Sequence, residues 1–188
     1  MKGVVSLLDD YHADLVADIW QRFDREFDLR EVYEFPCPHL PLHLAADYDF
    51  AALDMVIRRM ARTTAPFTVR TAGIAVQMDE PLKVDVSVVR GFDLFQVHQK
   101  LWYELAPVVT QADQRYHPDY WAPGLTLATG DVQQSLLPNL MWLLSHEQFN
   151  WEFTIDNLCY IEDPGYREAR PLLQLELTGE PAYAINHW

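Results

Sequence analysis

The sequence predicts an α+β fold built from two similar halves, and three observations carry that prediction. Apolar residues recur at spacings of three and four in some segments and alternate in others, so helices and half-buried strands share the chain. The segments follow the order βαβα-ββ-αβα-ββ, in which each half places a helix before a Pro-flanked strand, a helix after it and paired strands next. With 49% apolar and 13% aromatic residues in a chain of 188, there is material for a sizeable core, which excludes a disordered chain.

The first strand is the run Val4 to Leu8. A helix is expected from Tyr11 to Phe27, with Leu15, Ile19, Trp20, Phe23 and Phe27 on one face. Prolines at 36, 38 and 41 exclude helix from Phe35 to Leu44, so that stretch is extended and runs to Ala46. Asp47 or Asp49 then caps a helix carrying Phe50, Leu53, Ile57 and Met60, which Pro66 ends. Strands from Phe67 to Met78 and from Leu82 to Val89 form a hairpin across Asp79-Glu80-Pro81. A third helix is expected from Phe92 to Val109, with Leu94, Phe95, Leu101, Trp102 and Leu105 facing the core. Residues 110–123 read as a long loop, of the kind that often carries function. A strand from Leu125 to Ala128, a helix from Asp131 to Glu147, and strands from Asn150 to Ile161 and Leu172 to Leu177 complete the chain. Trp102 and Trp142, at helical spacing, are expected in the core.

Charge narrows the classes of partner. The net charge of −14 and pI near 4.7 leave no material for an extended basic face, so no extended nucleic-acid surface is expected, and anionic membrane surfaces are disfavoured. No stretch approaches the roughly 18 apolar residues of a membrane span, and the run 3–8 is too short for a secretory core. The expected compartment is the cytoplasm. Cys37 and Cys159 fit reduced, ordinary residues, with a single disulfide as the alternative. There is no Gly-rich phosphate loop, no Cys-x-x-Cys, no Gly-x-Ser-x-Gly and no telling pair of carboxylates, and no cofactor is expected.

Two segments match each other, one in each half: Cys37-Pro38-His39-Leu40-Pro41-Leu42 and Ala122-Pro123-Gly124-Leu125-Thr126-Leu127. Each reads Pro, key position, Leu, second key position, Leu, at the start of a strand. The pattern resembles the 2H phosphoesterase superfamily, the 2′-5′ RNA ligase-like and cyclic phosphodiesterase proteins, whose signature is two copies of His-x-Thr/Ser. Residues i and i+2 of a strand share a face roughly 6.6 Å apart, so an imidazole and a hydroxyl at that spacing can reach one phosphate. Two such pairs across a cleft supply a base, an acid and two groups that hold phosphoryl oxygens. The resemblance implies residues 1–188 as one bilobal domain. Antiparallel sheets from the two halves should face a central cleft, with helices outside and the two motif strands beside the cleft.

The resemblance also implies how the site departs from its family. His39 keeps the first histidine position, but Pro41 stands where a hydroxyl belongs; Thr126 keeps the second hydroxyl, but Gly124 stands where a histidine belongs. A positioned acid or base contributes about 10²–10⁴-fold, so two-histidine chemistry cannot operate unchanged. The expected function is binding of a small phosphorylated or nucleotide-like ligand with little or no such activity. The alternative is an active cyclic phosphodiesterase in which His39 and Thr126 work with a substitute acid or base from the 110–123 loop, His117 being the candidate. His43, at i+4 from His39 and on the same face of a regular strand, is a candidate binding residue, although about 13 Å separates the two and a shared metal ion is not expected. Gly124 should leave an imidazole-sized gap, which Tyr120 or Trp121 from the loop is best able to fill. Arg70, Lys83, Arg90 and Arg170 are candidate phosphate contacts.

Overall fold

A computed structural model describes residues 2–34, 37–78, 80–162 and 171–180. Nine strands among them form two antiparallel sheets. One has the order β5-β2-β1-β8-β9, from β1 (Lys2–Leu7), β2 (His39–Tyr48), β5 (Val109–Ala112), β8 (Asn157–Glu162) and β9 (Pro171–Glu176). The other has the order β6-β4-β3-β7, from β3 (Phe67–Gln77), β4 (Lys83–Val88), β6 (Gly124–Thr129) and β7 (Glu152–Ile155). The sheets are not one per half, as the sequence reading expects. Each combines strands from both halves: the hairpin β3–β4 pairs with β6 and β7, and β8–β9 pairs with β1.

Among the described residues four helices pack on this framework: α1 (Asp10–Phe27), α2 (Phe50–Thr63), α3 (Phe92–Leu105) and α4 (Leu137–Leu144). Asp9 caps α1, its carboxylate accepting from the His12 amide, and Asp49 caps α2 by accepting from Ala51 and Ala52. The buried stripe of α1 is His12, Val16, Ile19, Trp20 and Phe23, so Val16 rather than Leu15 completes the face. Leu53, Ile57 and Met60 of α2 are fully buried as expected.

Several expectations change, mostly at element ends. The third helix stops at Leu105, because Pro107 has no amide to continue it, and a 3-10 turn over Ala106–Val108 leads into β5. The segment 110–123 is therefore not all loop: β5 pairs with β2, and a second 3-10 turn spans Gln114–Tyr116. The helix expected from Asp131 shrinks to α4, with Pro138 in its first turn, where a proline's missing N–H costs nothing. Trp142 on α4 is 68% exposed and is not a core residue, whereas Trp102 is buried. The last long strand is broken at Asp156, so that β7 and β8 lie in different sheets. Cys37 and Cys159 are both free thiols, the latter buried. No helix among the described residues is long and apolar enough to cross a membrane.

Candidate functional site

The two motif strands meet at a cavity of about 450 Å³. β2 presents His39, Pro41 and Leu44 to it, and β6 presents Gly124, Thr126 and Thr129. The two triplets have identical spacing, two residues and then three, which a regular strand with period two does not produce. A β-bulge explains each. Opposite β1, Val5 pairs with Pro41 and Val4 with His43, leaving Leu42 as the extra residue; opposite β4, Asp85 pairs with Thr126 and Val84 with Ala128, leaving Leu127 extra. Both motif strands are kinked at matching positions.

The bulge corrects the reading of His43. It shifts the pleat by one residue and turns His43 to the face opposite His39, into the core. There its Nδ1 is 2.7 Å from the Tyr48 hydroxyl, its ring packs 4.9 Å from that of Trp102, and burial lowers its pKa to about 4. His43 is not among the cavity residues, so no ligand contact and no ion shared with His39 is available to it. Among the described residues no group of three or more His, Cys, Asp or Glu side chains could hold a metal ion.

His39 lines the cavity with its Nδ1 donating to the Cys37 carbonyl at 2.8 Å, a tautomer that puts the ring's lone pair on Nε2. Burial holds its pKa down to about 4; the charge of Lys83 acts in the same direction, and the Cys37 carbonyl opposes it. At neutral pH this imidazole is uncharged, with its one ring N–H committed to the Cys37 carbonyl.

Facing it, the position of Gly124 is not an empty gap. A Cβ built there would lie 2.8 Å from Cβ of Asp85, so Asp85 of β4 occupies the space next to the Gly124 backbone, while Tyr120 and Trp121 from the loop line the same cavity as His39. Asp85 is 1% exposed. Its Oδ2 accepts from Gln77 Nε2 at 2.9 Å, while Oδ1 makes no hydrogen bond of good geometry and is met instead by Lys83 Nζ at 3.1 Å. Burial raises the Asp85 pKa, against the pull of Lys83, Thr126 and Gln77. Sequence reasoning misses Asp85 and Gln77. The alternation Leu82/Val84/Val86/Val88 reads as the strand's buried side, which leaves Asp85 on a solvated one, and only the pairing of β4 with β6 sets it under Gly124.

The 110–123 segment supplies one wall and the rim. Trp121 and Tyr116 are buried against the cavity, and Tyr120 stands 75% exposed at its mouth. Trp121 is held from behind by His98, whose ring stacks on it at 3.7 Å and 11°, and Arg90 fixes the segment by donating to the Pro118 and Trp121 carbonyls. His117 points elsewhere: its ring packs edge-on against Trp102 and its Nδ1 accepts from the Asp119 amide, and it is not a cavity residue. Of the expected phosphate contacts only Lys83 lines the cavity. Arg70 pairs with Glu152 on the outer surface, Arg90 braces the wall, and Arg170 lies outside the described residues.

Arg115, paired with Asp113 at 2.6 Å, adds a second positive group to the lining. The cavity thus combines one neutral imidazole, basic side chains from Lys83 and Arg115, the Thr126 hydroxyl, and the rings of Tyr116, Tyr120 and Trp121. Such a lining suits an anionic group attached to a planar one. Thr126 is fixed in turn from α1, since Trp20 Nε1 donates to its carbonyl at 2.9 Å.

Solved structures share this architecture at low sequence identity. The protein TT0787 of Thermus thermophilus superposes with a TM-score of 0.68 at 13% identity, covering 96% of this chain and all of that one. LigT of E. coli, crystallised with NADP+, gives a TM-score of 0.54 at 13% identity over 94% of this chain and 96% of its own. A phosphoesterase gives 0.52 at 14% identity over 94% and 97%. At these identities the likeness shows the fold. No curated protein matches the chain in sequence. The profile of the 2′-5′ RNA ligase superfamily matches residues 10–167, across both motif strands and the cavity between them, and the chain belongs to that superfamily.

Proposed function

We propose that the cavity between β2 and β6 binds a small phosphorylated or nucleotide-like ligand, and that the chain carries out little or none of the two-imidazole phosphodiester chemistry of its superfamily. One observation carries this reading: the place opposite His39 where a second imidazole belongs is held by Gly124 and the buried Asp85, so acid and base cannot be paired across the cleft as histidines. The lining supports the binding half, with Lys83 and Arg115 for an anion and Tyr120 and Trp121 for a ring. LigT, similar in fold, has been crystallised with NADP+ and with 3′-AMP. Rescue of activity by the 110–123 segment would rely on His117, and the packing of that ring against Trp102 weighs against it.

A thermal-shift screen of mononucleotides and dinucleotides tests binding directly. A ligand at a hundred times its Kd stabilises the folded chain by about 2.7 kcal/mol, a readable shift. Hydrolysis of 2′,3′-cyclic AMP tests the other half. Turnover by the wild-type chain that disappears in His39→Ala would overturn the non-enzymatic reading.

A further inference from the structure

We infer that Lys83 is the residue that contacts the anionic group of the ligand opposite His39, and that Asp85, admitted beneath it by Gly124, attenuates its charge. The inference rests on the ligand-binding reading above and deepens it by naming the recognising group. The exchange is local and steric. With any side chain at 124, a Cβ would stand 2.8 Å from Cβ and 3.1 Å from Cγ of Asp85, and the carboxylate could not keep its place. With glycine there, Asp85 is held by Gln77 from β3 and brings its Oδ1 to 3.1 Å from the Lys83 ammonium.

The two partners differ in access. Asp85 is sealed from the cavity at 1% exposure, while the Lys83 side chain retains 21% and lines it. An ammonium has three donors, and Asp85 lies to one side of it, so the others are available toward the cavity. Lys83 and His39 both line the cavity, which places the cation and the uncharged imidazole around one volume. A single phosphate fits beside them, with its anionic oxygens toward the Lys83 ammonium. The base or another planar group then points to Trp121 and Tyr120. The ligand class is a nucleoside monophosphate. A buried carboxylate 3.1 Å from the ammonium opposes the attraction that anion feels, because charges at this separation in a poorly solvated site interact strongly.

Isothermal titration of the full chain with 3′-AMP, and with adenosine as its phosphate-free control, tests both roles. Lys83→Met should weaken 3′-AMP about tenfold or more, the scale of a lost hydrogen bond to a charged group, and leave adenosine unchanged. Lys83→Arg should restore most of the difference, which guards against a packing effect of the methionine. Asp85→Asn, equal in shape, should strengthen 3′-AMP several-fold without changing adenosine, and Lys83→Met should cancel that gain in the double variant. A purely structural role for Asp85 predicts no phosphate-specific gain, and that result would overturn the attenuation. If the wild type prefers 3′-AMP to adenosine and Lys83→Met keeps the preference, Lys83 is not the contact, while the ligand-binding reading stands. If the wild type binds neither, both readings fall.

Discussion

β2 and β6 carry the same motif, the same kink and the same three cavity positions, yet each has kept a different half of its chemistry. β2 keeps the imidazole and has a proline at the hydroxyl position; β6 keeps the hydroxyl and has a glycine at the imidazole position. The consequences for packing are unequal. Pro41 lies in the half of β2 that β5 does not reach, where a residue without an N–H is tolerated, so its presence demands little of its surroundings. Gly124 sits over a buried acid whose position depends on it. The missing hydroxyl on β2 is a local change, whereas the missing imidazole on β6 goes with a rebuilt neighbourhood.

The largest test of this contrast is acid pH. β2 carries two buried imidazoles, His39 and His43, with pKa values lowered to about 4, and His98 behind the cavity wall is lowered to about 3; β6 carries none. Each begins to bind protons in the unfolded chain near 6.5 but stays neutral when folded, so folding stability is full above that pH and is lost as pH falls toward 4. The loss approaches about 1.4 kcal/mol per pH unit for each histidine, several kcal/mol together, with the raised pKa of Asp85 offsetting a part. Urea unfolding at pH 7.5 and at pH 5 reads it. Equal stability at the two values would mean that the imidazoles are not sequestered.

Next in size is Gly124→Ala. A Cβ 2.8 Å from that of Asp85 forces backbone or carboxylate to move, at a cost of about 1–3 kcal/mol measured by chemical denaturation. Smaller is Trp20→Phe, which removes the donor to the Thr126 carbonyl and leaves the ring's packing largely in place; about 1 kcal/mol is expected, and an unchanged midpoint would show that α1 does not hold β6 through this bond. Smallest is Pro41→Thr, which restores the family hydroxyl on β2. It should cost about 0.5 kcal/mol through the unfolded chain and yield no hydrolysis of 2′,3′-cyclic AMP, since the second imidazole is still absent. Activity gained by this change alone would erase the asymmetry between the strands.

Legible in the sequence is whatever depends on near neighbours in the chain. The stripe Ile19, Trp20 and Phe23, an aspartate cap on the second helix, which Asp49 of the two candidates supplies, and the pairing of β3 with β4 each follow from local spacing, and each is found. The paired motif strands are legible because the same short pattern occurs twice. The bulges are not, because an extra residue at Leu42 or Leu127 is set by the partner strand, and so the side to which His43 turns stays hidden. Asp85 is hidden for the same reason: its importance comes from Gly124, on another strand. β5 escapes because four residues, one with a left-handed backbone at Gln111, carry almost no alternation.

The exchange of strands between halves governs how the chain can reach its fold. Cut between the halves, the first would be left with β1–β2 and β3–β4 as separate two-stranded ribbons, which are marginal in water. Neither half is then a folding unit, and partial unfolding of one strips the neighbours of the other. The pairing of Lys2 with Glu162 sets a further condition. During synthesis β1 presents a bare edge until β8 has left the ribosome, and contacts so distant in sequence slow folding. The nascent chain must keep that edge from pairing with other strands in the interval, and a chaperone that shields an early strand would serve this protein more than one that acts on its finished surface.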